Sequence, residues 1–533
     1  MNAEKRKSSP SAVVATENQQ AAEAGREILL RGGNAVDAAC ATALALGVVS
    51  PDSSGIGGGG FMLLYMAREA RFHALDFRER APLGASPELY TEAARDNPGV
   101  SRAGALAVAV PGEVAGLAEA LGALGRMKFS AVAEPAIRLA RNGFRCSAHL
   151  ARDIGRTAPL LANDRMLSRH LMGDAGQPPR PDERLQSHAL GATLARLGDQ
   201  PVEVFYRGPL AREIASFVKS RGGLLTVDDF AEYRPLWRDP LRGAYRGHEV
   251  VTLPLPASGA TLLEMLAMVE ADELREMGHN SAACLAHIAE VMRQGFADRA
   301  MLGDPAFAPN ETSRMLLPGH VNEARARALA RERSAPVAKP RGRGTSSLCV
   351  VDKDRNIALV TTTINTEFGA KLMVPEWGIL LNNSMDDFTV VPGMPNAARL
   401  AGGAANDIRG GKRPLSSIAP AILMRGGEPV LCLGGSGGPT IITGVFQTVA
   451  NVLDFGLDPP SAVAVARIHA QGSPDLVLVE SGIPEPTCRV LEEMGYRLRG
   501  VPALRMAISA VGLAPDALTG AADPRKGGGV AAA

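Results

Sequence analysis

The sequence predicts an α+β protein, and three observations support this fold class. Segments rich in Ala, Leu and Glu, at 111–145 and 260–300, have the composition of helices. Beyond residue 344 the pattern changes, and β-branched residues dominate 346–351 and 357–363. The length of 533 residues exceeds that of a usual domain and predicts about three or four structural units.

The composition excludes several functional classes. Lys and Arg total 57 against 56 Asp and Glu, so the formal net charge is +1. A nucleic-acid partner would require a basic surplus, and none is expected here. Hydrophobic residues make up 46% and charged residues 21%, which is typical of globular proteins and excludes a disordered or fibrous chain.

Neither a membrane span nor a secretory signal is expected. No apolar run approaches the roughly 18 residues that a transmembrane helix requires. Residues 1–11 contain Lys5, Arg6 and Lys7, and no apolar core follows these charges. The sequence therefore predicts a cytoplasmic protein, or a periplasmic or secreted one only if a signal has been removed.

Cysteine and histidine spacing predicts neither a disulfide framework nor a metal site. The six cysteines are far apart and form no CxxC pair, so buried free thiols are expected. The nine histidines are never three to five residues apart, and the HExxH motif is absent. No metal ligands are assigned.

Two helices are expected near the start of the chain. The first covers 21–31 and ends at Gly32-Gly33, a helix C-cap signal. Asn34 caps the second, which has Asp37 in its first turn and ends near 50–51.

A glycine-rich segment follows the second helix. Gly55-x-Gly57-x-x-Gly60 has the spacing of a dinucleotide fingerprint, which requires a strand before it and a helix after it. Here a helix precedes and a strand at 61–66 follows. A backbone turn is therefore predicted in place of a cofactor site.

The segment 321–344 differs from its surroundings. It carries seven basic residues and ends Pro-Arg-Gly-Arg-Gly. Because no aromatic residues alternate with these charges, an exposed flexible linker is predicted, not a nucleic-acid patch. The strand-like runs that follow flank turn residues 352–356, which predicts a hairpin.

Later in the chain, a strand at 429–433 leads into glycine-rich residues 434–438 and a helix over about 440–454. Gly434-x-Ser436-x-Gly438 matches a nucleophile elbow, in which Ser436 would be the nucleophile of an α/β-hydrolase. His469 follows too closely to leave room for the usual intervening strands. Two other interpretations are a plain strand–helix junction and an oxyanion site formed by backbone amides at the helix N-terminus.

Thr345 stands where the basic linker meets the first strand of the β-rich region. A threonine hydroxyl needs a base, and the α-amine of Thr345 itself would serve if the Gly344–Thr345 bond were cut. A free α-amine has a pKa of about 7.7–8.0, which suits a general base near neutrality. The residues alone leave open a threonine that merely starts a strand.

Several ordered blocks between about residues 12 and 526 resemble the γ-glutamyltransferase family. The blocks are Gly32–Ala39, Ser53–Gly59, Asp76–Glu79, Ala297–Arg299, Gly344–Asp352, Thr363–Gly369, Leu381–Phe388, Lys412–Ser417 and Gly437-Gly438. So many blocks in the same order make the resemblance highly specific.

The resemblance implies an N-terminal-nucleophile hydrolase fold, a four-layer αββα sandwich with additional helices. It implies a precursor that cuts itself between Gly344 and Thr345, so that 1–344 and 345–533 form the large and small subunits of a heterodimer with one intertwined catalytic domain. The implied activity moves a γ-glutamyl group from glutathione or related amides to water, amino acids or peptides. No cofactor is implied.

The resemblance also implies roles for individual residues. Thr345 matches the nucleophile, Thr363 a threonine beside it, and Gly437 and Gly438 the oxyanion hole. Arg78, Ser416 and Ser417 match residues that hold the donor α-carboxylate, as a guanidinium forks onto a carboxylate. Asn365 and Asp387 match residues that hold the α-ammonium, and Ser384 occupies a donor-contacting position.

Four departures from the family pattern bear on donor specificity. Ser346-Ser347 follow the nucleophile where the family has Thr or Ser and then His, and Ser384 replaces Gln or Glu. Ala397-Ala398 follow 392–396 where many bacterial members have a lid tyrosine, and 255–260 is a reduced Pro-Pro-Ser-Ser-Gly-Gly stretch. Three alternatives therefore remain: an acylase of the same fold on another acyl amide, the Ser436 hydrolase, and an unprocessed scaffold.

Overall fold

The computed structural model describes residues 10–331, 344–390, 396–398, 400, 402–472 and 474–533. The helices of these ranges are α1 (Gln19–Leu30), α2 (Ala35–Val49), α3 (Pro87–Asp96), α4 (Glu113–Leu124), α5 (Phe129–Asn142), α6 (Ala148–Leu161), α7 (Arg165–Met172), α8 (His188–Leu197), α9 (Pro209–Lys219), α10 (Val227–Ala231), α11 (Gly259–Val269), α12 (Leu274–Met277), α13 (Ala282–Arg299), α14 (Thr312–Met315), α15 (Pro318–Ala330), α16 (Thr440–Leu453), α17 (Pro459–Ala464) and α18 (Glu485–Glu493).

The strands of the two large sheets are β1 (Val13–Thr16), β2 (Gly59–Met66), β3 (Arg71–Phe77), β4 (Leu236–Arg238), β5 (Leu241–Tyr245), β6 (His248–Thr252), β7 (Gly344–Val351), β8 (Ile357–Asn365), β9 (Ala421–Arg425), β10 (Glu428–Ser436), β11 (Ala507–Ala514), β12 (Ala517–Ala522) and β13 (Gly529–Ala532). Short strands at Phe144–Arg145, Arg184–Leu185, Met373–Val374, Ile379–Leu380, Ile468–His469, Val477–Glu480 and Leu498–Val501 form small separate pairings.

The two large sheets are antiparallel and pack against each other. The first sheet has the order β13-β1-β7-β8-β2-β3-β4, and the second has the order β12-β11-β10-β9-β6-β5. Helices α2 and α4 cover the outer face of the first sheet, while α16 covers the second and packs against α11. The layers therefore run helix, sheet, sheet, helix, which confirms the expected αββα sandwich.

Strand β7 shows how the alternation of side chains builds these layers. Leu348 and Val350 point into the apolar layer beneath α2, whereas Cys349 and Val351 point into the layer between the sheets. Because successive side chains alternate across a strand, Thr345 shares the face that looks toward the second sheet. This face carries the chemistry at the open end of the sandwich.

The helix-terminus signals in the sequence are confirmed. The Asn34 side chain accepts from the backbone amides of Val36 and Asp37, and the Asp37 carboxylate accepts from the Asn34 amide, which forms a reciprocal capping box. The hairpin is also confirmed, since β7 and β8 pair antiparallel around the turn at 352–356.

The expected linker at 321–344 needs a correction. Its first part continues α15, whose Val321, Ala324 and Ala328 are buried, so this part is a packed helix and not an exposed linker. Arg325 and Arg327 of that part are half-buried and form ion pairs with Asp272 and Asp298, contacts that a simple count of charges does not reveal. Residues 332–343 lie outside the described ranges, and so do residues 392–395 of the stretch compared with the lid.

Two further features of the described ranges concern membrane crossing and the cysteines. No helix there is both long enough and apolar enough to cross a membrane. All six cysteines are free thiols; five are buried, and Cys488 is half-buried.

Candidate active site

Thr345 lies at the second position of β7 and is buried, with 5% of its surface exposed. Its Oγ1 lies 2.6 Å from the Gly344 carbonyl oxygen and 3.1 Å from Thr363 Oγ1. The Thr363 hydroxyl donates to the same carbonyl oxygen at 2.7 Å. The carbonyl of the bond expected to break therefore lies within hydrogen-bond distance of two hydroxyls.

A break in the β7–β8 register brings Thr363 to this position. Thr362 pairs with Ser346, but Asn365 pairs with Gly344, so β8 contains one extra residue. Such a bulge redirects the side chain of the unpaired residue. The Asn365 amide then donates to Thr363 Oγ1 at 2.8 Å and fixes the hydroxyl.

Lys526, near the C-terminus, contacts the backbone of Thr345. Its buried ammonium donates to the Thr345 carbonyl oxygen at 2.8 Å, to Glu17 Oε2 at 3.0 Å and to Ser436 Oγ at 3.0 Å. Glu17 Oε1 accepts in turn from the Ser347 amide at 3.1 Å. The buried Lys526–Glu17 ion pair thus connects residues near both ends of the chain to β7.

A small cavity opens beside Thr345. Among the sequence-predicted residues, those that line it are Arg78, Thr345, Thr363, Asn365, Asp387, Ser416, Ser417 and Gly438. Gly437 directly precedes Gly438 at the start of the turn into α16. Both residues have positive φ, 120° at Gly437 and 63° at Gly438. A side chain at Gly437 would meet the Arg505 carbonyl at 2.6 Å, so glycine is required there.

Arg78 forms the charged floor of this cavity. Its guanidinium donates to Glu79 at 2.7 Å and closely contacts the Asp387 carboxylate, with the Arg78 side chain 1% exposed. Burial alone would lower the pKa of Arg78, but Glu79 and Asp387 raise it. Burial raises the pKa of Asp387, and the neighbouring Arg78 partly offsets this.

Ser384 does not line the cavity, contrary to the sequence expectation. It is fully buried, and its hydroxyl donates to Glu79 Oε1 at 2.8 Å. Because a serine side chain is short and the 3-10 turn Ser384–Asp387 directs it inward, it reaches the partner of Arg78 and not the open space. Ala398, at the position compared with the lid tyrosine, does line the cavity.

The nucleophile-elbow interpretation of Ser436 is not supported. The Ser436 hydroxyl is fully buried and accepts a hydrogen bond from the Lys526 ammonium. Strand β10, which carries Ser436, lies in an antiparallel sheet, whereas an α/β-hydrolase has a mostly parallel one. His469 contacts Thr443 Oγ1 and Gln471 Oε1, both at 2.9 Å. Ser436 therefore contacts the ammonium that also binds the backbone of Thr345, and it does not face the cavity.

The structure brings together side chains that the histidine spacing does not reveal. Residues from distant segments converge in two groups that could offer ligand atoms to a cation: Asp52, His149 and Asp153, and Glu264, Asp298 and His320. Spacing in sequence tests only local motifs and is uninformative about such groups.

Sequence reasoning missed two contributors, Lys526 and Arg299. Lys526 lies far from every quoted motif, and no local signal marks it. Arg299 ends the block Ala297–Arg299; it is buried, and it donates to Ser258 Oγ and Ser417 Oγ. The available signal was its place in that block, which the resemblance marked without assigning a role to the arginine.

The face-to-face antiparallel sheets, the covering helices and a threonine hydroxyl at the start of a central strand define an N-terminal-nucleophile hydrolase fold. A model of the family described as gamma-glutamyltranspeptidase matches residues 21–533. The chain belongs to this family.

Individual relatives agree with this membership. The glutathione hydrolase proenzyme of Escherichia coli is 36% identical over 525 residues, an alignment that covers 96% of this chain and 90% of the relative. The solved structure of cephalosporin acylase from Bacillus halodurans has a TM-score of 0.86 at 29% identity, covering 100% of this chain and 98% of that one. The γ-glutamyltranspeptidase of Helicobacter pylori has a TM-score of 0.57 at 31% identity, covering 61% and 93%.

Proposed function

We propose that this chain is a self-processing γ-glutamyl hydrolase and transferase that acts on glutathione or related γ-glutamyl amides. One observation carries the proposal: the Thr345 hydroxyl lies against the Gly344 carbonyl and also lines the cavity that contains Arg78 and Asp387. The same hydroxyl is thus placed for self-cleavage and for attack on a substrate.

Self-cleavage would begin when Thr345 Oγ1 attacks the carbonyl carbon of Gly344. The C–N bond to Thr345 then breaks, and an ester joins Gly344 to the Thr345 oxygen. The C–N bond cleavage leaves the Thr345 α-amine free, with the hydroxyl proton transferred to that nitrogen, and water then hydrolyses the ester to the Gly344 carboxylate and the Thr345 hydroxyl. Thr363 donates to the oxygen on which negative charge develops, the kind of contact that stabilises such an intermediate.

In turnover, the new α-amine would accept the proton of the Thr345 hydroxyl as it attacks the γ-carbonyl of the donor. The amides of Gly437 and Gly438, just before α16, are the proposed oxyanion donors. The donor amine leaves with a proton, and a γ-glutamyl ester remains on Thr345. Water completes hydrolysis, whereas an amino acid or peptide amine completes transfer.

The charged part of the cavity accounts for donor recognition. Arg78, Ser416 and Ser417 would bind the α-carboxylate, and Asp387 would bind the α-ammonium. The Asn365 amide NH₂ is already held by the Asn383 carbonyl at 2.9 Å, which leaves its oxygen as an acceptor for the ammonium. Ser384 would act only indirectly, through Glu79.

A second candidate is an acylase for amides that lack the α-ammonium, such as glutaryl amides. The similarity to the Bacillus halodurans cephalosporin acylase over the whole chain favours it. The carboxylate of Asp387 at the cavity wall favours an ammonium-bearing donor instead. Comparing kcat/KM for γ-glutamyl and glutaryl p-nitroanilides decides between the two.

The products 1–344 and 345–533 would remain together as large and small subunits. This follows from the sheet order, because β7 of the small subunit lies between β1 and β8 in the first sheet. Separation would break β-ladders on both subunits.

The proposal is tested with purified protein on a denaturing gel and with γ-glutamyl-p-nitroanilide. Wild type should give two fragments, the smaller beginning at Thr345, and should release p-nitroaniline. Thr345→Ala should remain uncut and inactive, while Ser436→Ala should still be cut. An uncut but active wild type, or an uncut Ser436→Ala beside a cut Thr345→Ala, would overturn the proposal.

A further inference from the structure

Arg299, at the end of α13, differs from the other buried arginines of the described ranges. Arg78, Arg413 and Arg467 each form an ion pair with a carboxylate. Arg299 is 5% exposed and forms no such pair within those ranges; its recorded partners are hydroxyls. Asp387 offsets the charge of Arg299 without contacting it directly, so the Arg299 guanidinium charge remains available to an approaching anion.

The hydroxyl partners connect Arg299 to the cavity. Its Nε donates to Ser258 Oγ at 2.9 Å, and Ser258 Oγ donates to the Ser416 carbonyl at 2.6 Å. Another guanidinium nitrogen donates to Ser417 Oγ at 3.4 Å. Because Ser417 Oγ accepts from Arg299, its own proton is left to donate into the cavity.

The local charge balance explains why a second cation is required. Arg78 contacts two carboxylates, Glu79 and Asp387, so these three charged groups together carry one net negative charge. Such a group alone would repel an anionic carboxylate. Arg299 brings the total to neutral, and neutral surroundings suit a zwitterionic amino-acid group. Burial lowers the pKa of Arg299 to about 10, which leaves it charged at neutral pH.

We propose that Arg299 is a positioning residue for the donor α-carboxylate, which it favours through its charge and through Ser417. The inference rests on the proposed function and deepens it, because it adds a residue outside the cavity to the recognition of the α-carboxylate. Arg299 does not line the cavity and does not touch the reacting atoms.

The test compares two donors, γ-glutamyl-p-nitroanilide and 4-aminobutanoyl-p-nitroanilide, which lacks only the α-carboxylate. For Arg299→Gln, KM for the γ-glutamyl donor should rise roughly 10- to 100-fold with little change in kcat, because the donor carboxylate loses a nearby positive charge and Ser417 loses the donor that orients its hydroxyl. The kcat/KM for the 4-aminobutanoyl donor should change by less than about threefold. Arg299→Lys should recover part of the lost affinity.

Ser258→Ala is the matched control, since it removes one hydroxyl partner of Arg299 but keeps the charge. It should raise KM far less than Arg299→Gln. An equal loss on both donors, or an equal effect of Ser258→Ala, would show that Arg299 supports the fold and would overturn the inference.

Equilibrium binding separates this inference from the proposed function. Calorimetry should show that the wild-type heterodimer binds L-glutamate more tightly than 4-aminobutanoate, and that Arg299→Gln removes this preference. A wild type that binds the two equally would refute the inference whatever its activity. A wild type that prefers L-glutamate but does not turn over γ-glutamyl amides would refute only the proposed function.

Discussion

Removing the Thr363 hydroxyl should slow self-cleavage without preventing folding. Two hydroxyls contact the Gly344 carbonyl oxygen, at 2.6 and 2.7 Å, and in the proposed reaction the Thr345 hydroxyl would be consumed as the nucleophile. The Thr363 hydroxyl then remains to donate a hydrogen bond to the Gly344 carbonyl oxygen as negative charge develops on that oxygen. Loss of one such donor costs about 2.7–4 kcal/mol, so Thr363→Val should cut itself roughly 10²- to 10³-fold more slowly.

The same substitution has a separate effect on stability. The Asn365 amide loses its acceptor, Thr363 Oγ1, which should cost about 1 kcal/mol for one neutral hydrogen bond. The assay follows conversion of freshly purified precursor to two fragments on a denaturing gel, and thermal unfolding is measured in parallel. A small change in Tm with a large change in cleavage rate is the expected combination.

Thr361→Val is the matched control for this experiment. Thr361 lies two residues earlier on the same strand and is also buried. The hydroxyls that contact the Gly344 carbonyl oxygen are those of Thr345 and Thr363, not that of Thr361. It should be cut at the wild-type rate. If Thr363→Val is also cut at that rate, the role assigned to the Thr363 hydroxyl is refuted.

Three other perturbations test separate parts of the structure. Asp387→Asn should raise KM for a γ-glutamyl donor by roughly 10- to 150-fold and leave KM for a glutaryl donor nearly unchanged; equal effects on both would contradict an ammonium contact. Lys526→Met should destabilise the uncut protein by about 3–5 kcal/mol, because Glu17 becomes an unpaired buried charge, and adding Glu17→Gln should recover part of this in urea unfolding. Burial, together with Asp298, raises the pKa of Glu264 to about 10 in the folded protein. At a pH between the ordinary carboxyl pKa and this value, Glu264 is protonated when folded and loses its proton on unfolding. Stability should therefore fall as pH rises from 6 to 8, by up to about 1.4 kcal/mol per pH unit, and Glu264→Gln should flatten this slope in Tm measurements; parallel slopes would contradict the raised pKa.

The elements that the sequence predicted well are those with local causes. The Asn34 capping box, the 352–356 turn and the helix after Gly438 each follow from a few neighbouring residues, and the structure has all of them. The αββα layering and the site residues came from motif resemblance, because no local pattern specifies how β7 and β10 face each other. Their roles in binding and catalysis remain predictions.

The failures have a common physical origin in long-range contacts. Ser384 was assigned to the donor by its motif position, yet its contact is Glu79, from a segment about 300 residues earlier in the chain. Lys526 reaches Thr345 from near the C-terminus, and Arg299 reaches Ser417 from another helix. The basic charges after residue 320 concealed a helix, because the buried small residues between them are individually weak signals.

The central claim is that one atom, Thr345 Oγ1, performs both reactions. Peptide mass spectrometry after brief incubation with a γ-glutamyl donor and acid quenching tests it most directly. The expected result is a small-subunit N-terminal peptide that begins at Thr345 and carries one γ-glutamyl group on that residue. A γ-glutamyl group found on Ser436 or another side chain, or an active chain in which Gly344 and Thr345 are still joined, would contradict the claim.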